Sequence, residues 1–181
     1  MKTRPDPATI ADAIEAMPDS NLEEVAAAAR WCRERRVDPW SECPCGAWCL
    51  VIALATGVAE HRCLIAAART VSELANEWGD DELRRAAERM VRYVEGRGES
   101  LSDDEMSDLE VAADGADDVI RAITWGLIFV SMGAANGYPY EAVFAARRAT
   151  DGFVALGYTQ GQAGAITAEI VRRTIVPSTS P

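Results

Sequence analysis

Apolar residues along this chain recur at spacings of three and four and hardly ever alternate at two, so helix is the regular structure the pattern supports. Alanine is abundant and runs of β-branched residues are short, which removes the usual composition of a strand. The stops are as informative as the runs. A first short helix is predicted over 8–17, closed by Pro18, and a second over 21–36, where Ser20 and Glu23 read as a capping box. The basic end of that second helix, Arg33 to Arg36, suits the negative pole of a helix dipole. Pro39 then disfavours helix at the residue before it. A third helix is predicted over about 46–57 and a fourth over 59–78, with Gly79 as its stop. Asp80 or Asp81 caps a fifth that runs to about Glu95. Ser102 and Glu105 form a second capping box, opening an acidic helix that leads into the apolar 119–134. Two last helices, 139–156 and 160–175, flank Gly157 and Tyr158.

About eight helices joined by short connections make one all-α bundle. The chain of 181 residues is one domain in length, and its 49% hydrophobic content is enough for a core. The expected domain is 1–176, with 177–181 as a flexible tail. Acids outnumber bases 29 to 18, for a net charge of −11, which argues against a nucleic-acid partner. Residues 43–59 and 122–140 carry no charge, but their continuous apolar parts of about 13 residues fall short of the roughly 20 that span a bilayer. Both are expected to be buried core helices rather than membrane spans. An acid already at position 6, and no apolar run behind it, disfavours a signal peptide and points to the cytoplasm.

Cys32, Cys43, Cys45, Cys49 and Cys63 fall within 32 residues, next to the only histidine, His61. Cys43, Cys45 and Cys49 with His61 or Cys63 are a conceivable zinc set. The Cys-x-Cys-x3-Cys spacing is not that of a zinc ribbon, and buried structural thiols are the plainer reading. His61 and Cys63 lie about 200° apart around one helix, so they do not form a direct Cys–His pair. No phosphate-binding glycine loop, nucleophile elbow or paired-histidine motif is present. No cofactor is therefore expected. Trp31, Trp48 and Trp125 sit in apolar helical context and are expected in the core, while Trp40 either pins its loop to the domain or serves an interface.

Between Glu99 and Asp118 there are nine acids and no base. Glu110, Asp114 and Asp118 are spaced by four, one stripe of a continuous helix, with Asp117 adjacent. Such a stripe is a solvated face, a docking surface for a basic protein, or a magnesium site. With Glu73 and Glu77 on an earlier helix, the layout resembles the all-α nucleoside-triphosphate pyrophosphohydrolases, which pair acids from two helices around magnesium. That resemblance implies Glu73, Glu77, Asp114 and Asp118 as ligands, although both pairs are spaced by four where that family uses three.

A different resemblance covers more of the chain. Asp38-Pro39-Trp40-Ser41-Glu42-Cys43-Pro44, then Trp48-Cys49-Leu50, is similar to the entry motif of an alanine-rich family of bacterial and phage proteins. These are the immunity proteins of polymorphic-toxin systems. The likeness continues through His61 to Arg69, Asp81 to Glu88 and the turn at Glu95-Gly96, and returns at Ile170-Val171-Arg172-Arg173. Cys45 and Ala47 stand where the family tends to carry charge, and the stretch 119–160 is more varied than the family's Ala-Tyr-rich region. The resemblance implies an all-helical protein that inhibits a toxin by binding it, without catalysis. On this reading the partner-binding residues are Glu110, Asp114, Asp117, Asp118 and Trp40. The spacing leaves the oligomeric state open.

Overall fold

The computed structural model describes residues 6–35, 38–114 and 116–175, and every regular element among them is a helix. They are α1 (Pro7–Glu15), α2 (Glu23–Arg33), α3 (Pro39–Glu42), α4 (Gly46–Ala55), α5 (Glu60–Trp78), α6 (Asp81–Val94), α7 (Asp103–Ala113), α8 (Asp118–Asn136), α9 (Tyr140–Ala155) and α10 (Gln160–Thr174). The expected tail 177–181 and the helix end at Arg36 lie outside the described residues.

Ten helices replace the expected eight for two local reasons. The loop at 38–42 is itself a turn of helix: Pro39 occupies its first position and the Asp38 carboxylate accepts the Trp40 backbone N–H at 3.1 Å. The acidic and apolar segments are also two helices, not one. Asp114 turns the chain out of α7 (ψ 103°), and the Asp117 carboxylate accepts the Val119 N–H at 2.9 Å to open α8.

Other termini follow the sequence reading. Asp80 caps α6 through the N–H groups of Glu82 and Leu83, and Ser102 and Glu105 form the expected capping box on α7. Gly79 and Gly137 close α5 and α8 in the left-handed conformation. Ser20 and Glu23 do not form a box. The residue before α2 is Leu22, which provides no side-chain cap.

α5, α8 and α9 make the centre, with α4 and α10 closing one side of α9 and α6 and α7 flanking α5 and α8. The α1–α2 pair covers α4. Glu24 ties three helices together, accepting from the Trp48 indole N–H at 2.9 Å and from Arg147 Nη1 at 2.7 Å. Buried alanines and close glycines let the helices approach: a Cβ on Gly126 would lie 2.7 Å from Val71, and one on Gly152 would lie 2.3 Å from Leu74. α8 is long and apolar enough to cross a membrane by length and composition, a weak signal that core helices share; half of it is buried inside this fold.

α4 has no side-chain cap of its own. Its first N–H, at Gly46, is satisfied from α10 by Thr167 Oγ1 at 3.1 Å, and Thr167 Oγ1 also lies 3.1 Å from Thr150 Oγ1. Arg172 Nη1 donates to the Cys43 carbonyl at 3.1 Å. The entry to α4 is thus clamped by the last helix.

Among the described residues, two buried side-chain oxygens have no partner, Thr124 Oγ1 and Glu141 Oε2. Burial pushes the Glu141 carboxyl above the ordinary carboxylate range. A raised folded-state pKa means its contribution is fully present below the unfolded pKa and is lost as pH rises through the folded one. At neutral pH the ionised group opposes folding. Glu141→Gln is therefore expected to raise Tm at pH 7.5 by about 2–4 °C, the shift that ~1 kcal/mol brings to a domain of this size. The gain should vanish near pH 4. An equal gain at both values in paired melting curves would contradict this account.

Candidate protein-binding surface

The chemistry of α7 starts from its charge. Asp103, Asp104 and Glu105 fill the first turn, where carboxylates favour the positive helix pole. Glu105 is committed inward. It bonds the Ser102 N–H at 2.8 Å and the Ser102 hydroxyl at 2.9 Å, and takes Arg89 Nη1 at 2.6 Å. Those donors, the Ser102 N–H foremost, hold its carboxyl below the usual range. By contrast, Asp103, Asp104, Asp108, Glu110 and Asp114 are exposed and have no ion pair or side-chain hydrogen bond with any other described residue. Val111 stands among them at 71% exposure, an apolar side chain turned to solvent.

Beside this face lies a hollow of about 460 Å³ between α6 and the α7–α8 segment. Leu83, Ala86, Leu101, Leu109 and Ile120 form its apolar lining, and Asp80, Glu82, Arg85, Arg89, Glu105 and Asp108 supply its charges. Both arginines are already engaged. Arg85 donates to the Asp81 carbonyl at 2.9 Å, and Arg89 holds Glu105 and the Ser100 carbonyl. What remains for a visitor is an apolar groove with uncommitted acids along it. Sequence reasoning missed α6's share in this surface, because which helix lines the groove beside α7 is set by tertiary packing and not by the local pattern.

The expected stripe of Glu110, Asp114 and Asp118 does not exist as one helix face, because the chain leaves α7 at Ala113. Glu110 and Asp114 stay with α7. Asp117 is spent on capping α8, and Asp118 pairs with Arg121 at 2.7 Å, which cancels its charge locally. Trp40 is half-buried and packed on the core from α3, which leans on α4 rather than on α7. It pins its loop. Trp31 is buried and Trp48 half-buried, but Trp125 is exposed, against expectation.

The acids of the magnesium reading are dispersed. Glu73 lines a hollow of about 300 Å³ with Glu88, Arg69, Arg92 and Arg173, and Glu77 accepts the Tyr158 hydroxyl at 2.9 Å. Asp118 lines another hollow, of about 290 Å³, between α8 and α9. Among the described residues no group of three or more His, Cys, Asp or Glu has the geometry to hold a metal ion. His61 is exposed in the first turn of α5, while Cys63 two residues on is fully buried. Burial pushes the Cys32 thiol up to about 11 and the Cys45 and Cys63 thiols up to about 12, and it raises Cys43 as well. Nucleophilic and metal-ligating cysteines show the opposite shift. These four thiols are protonated packing groups at neutral pH. Comparison with protein-family models, curated proteins and solved structures returns no match for this chain.

Proposed function

We propose that this protein works by binding a basic protein, as an immunity or inhibitor protein does, through α7 and the adjoining groove. The observation that carries the reading is the set of five exposed acids, Asp103, Asp104, Asp108, Glu110 and Asp114, which have no cation partner among the described residues and surround the exposed Val111. Uncommitted like charges repel one another, and a basic surface relieves that repulsion while the net charge of −11 steers it in. An apolar side chain and an apolar groove inside the charged rim supply what holds the partner once it arrives. The resemblance to immunity proteins supports the same reading, with a toxin as the partner and the cytoplasm as the place. Unpaired cysteines suit that reducing compartment.

The test is capture from source-cell lysate on the tagged chain at about 50 mM and about 500 mM salt, which moves the Debye length from above 10 Å to below 5 Å. A basic protein retained at low salt, released at high salt and lost when Asp104, Asp108, Glu110 and Asp114 are made neutral is the expected result. The same partner retained by the neutralised chain would remove α7 as the surface. Pyrophosphate release from a nucleoside triphosphate with magnesium would replace the reading with the enzymatic one.

A further inference from the structure

One hollow of the molecule runs against the charge of the whole. It has a volume of about 300 Å³, and three helices each bring a guanidinium to it: Arg69 from α5, Arg92 from α6 and Arg173 from α10. Glu73 and Glu88 line it as well. Arg69 Nη2 is held at 2.6 Å by Glu95, a mostly buried carboxylate that Arg97 also grips. With those two included, four cations face three anions. One positive charge is left in surplus on a chain of charge −11.

The lining charges are not closed on one another. Spacing by four would let Arg69 pair with Glu73, and Glu88 with Arg92, along their own helices. Neither pair forms. Arg69 is committed to Glu95, and Arg92, Arg173, Glu73 and Glu88 make no ion pair or side-chain hydrogen bond with any other described residue. Arg92 and Arg173 stand in the last turns of α6 and α10, where the negative helix pole favours a cation. Uncommitted groups of both signs therefore share one hollow. A plain oxyanion would meet the carboxylates there, and a plain cation would meet the guanidiniums. A ligand that carries both signs offers each group its opposite.

The geometry points to a binding site for a free acidic amino acid, glutamate or aspartate, between α5, α6 and α10. Arg92 and Arg173, with Arg69 beside them, take its two carboxylates, since a guanidinium matches a carboxylate with paired N–H donors. Glu73 and Glu88 accept from its ammonium. The ligand's net charge of minus one answers the surplus positive charge of the hollow. Val91 and the buried Ile170 supply an aliphatic wall for its methylenes. The volume lies at the lower end of the roughly 300–1,000 Å³ of small-molecule sites, which suits a ligand of this size. This hollow shares no lining residue with the groove beside α7, so the inference does not rest on the binding role of α7.

Calorimetric titration of L-glutamate into the full chain, near neutral pH and at constant ionic strength, reads it directly. The expected result is one site with a Kd below about 1 mM. L-Glutamine keeps the zwitterion and loses the second acid, while glutarate keeps both acids and loses the ammonium. Each should bind about 10-fold more weakly or worse, the scale of one lost charge-assisted contact. Arg173→Gln should weaken L-glutamate by a similar factor. Glu88→Gln should weaken L-glutamate and strengthen glutarate, a crossing that a merely structural role would not produce. All these side chains are exposed, and circular dichroism confirms that the variants fold. No binding of L-glutamate at about ten times the expected Kd overturns the inference. So does binding that survives Arg92→Gln together with Arg173→Gln, and so does inorganic phosphate binding more tightly than L-glutamate.

Discussion

Gly164→Ala is expected to destabilise the protein by about 2 kcal/mol, whereas Gly161→Ala, one turn earlier in the same helix, should be neutral or stabilising. A Cβ on Gly164 would lie 2.4 Å from the Pro44 carbonyl oxygen and 3.4 Å from Cys45 Cβ. The first contact is backbone against backbone, and the opposing segment has little freedom to retreat. Arg172 grips the Cys43 carbonyl and Thr167 grips the Gly46 N–H on either side of it. Overpacking of this kind costs about 3 kcal/mol, and the better helix propensity of alanine returns about 1. In a domain of this size the difference lowers Tm by about 4–8 °C. At Gly161 nothing lies within 4 Å of the added carbon, so only the propensity gain remains. In thermal melts Gly164→Ala should lower Tm while Gly161→Ala leaves it unchanged or raises it. If both rise, the Cys43–Gly46 segment yields freely and α10 does not clamp the entry to α4.

That clamp marks the boundary of what the sequence discloses. Local signals read well wherever the partner of a polar group is three residues away, as in Ser102 with Glu105 and Asp80 with Leu83, and at the left-handed Gly79 that stops α5. They fail where the partner is remote. Ser20 and Glu23 have the spacing of a capping box, yet Asp19 takes a positive φ of 54° and its carboxylate accepts the Tyr138 hydroxyl from the other end of the chain. Tyr140 bonds the neighbouring Pro18 carbonyl. Those contacts set where α2 begins, and no window around residue 20 contains them. The cap of α4 comes from Thr167, which is equally invisible locally.

The acidic stripe failed for a different reason. Spacing by four describes one face only if the helix is unbroken, and Asp117 serves better as the cap of a new helix than as a member of the old one. Trp125 shows the limit of periodicity itself. The pattern says that α8 is apolar on more than one side, but not which side its own fold will cover. The candidate surface was thus legible as a charge run and illegible as a shape, because the groove is made by α6, whose contribution depends on tertiary packing.

Making Asp104, Asp108, Glu110 and Asp114 neutral together is expected to slow association with the basic partner by about 10- to 100-fold at low salt, with dissociation little changed. Rim charges act during approach, before contacts form, so their loss shows in the on-rate and flattens its salt dependence. The replacement also lowers the magnitude of the net charge by four, and net charge alone slows a basic partner. A matched variant separates the two effects. Neutralising the exposed Glu23, Glu34, Glu42 and Glu60, on α2, the end of α2, α3 and α5 respectively, removes the same charge from residues outside α7. Stopped-flow association of each variant with the captured partner should rank the α7 set well below the matched set. Val111→Ala should do the reverse of both, raising the off-rate several-fold and sparing the on-rate, because an apolar anchor contributes only after water has left. Equal slowing by the two charge sets would mean that the partner senses only the total charge, and α7 would then be a solvated face with no docking role.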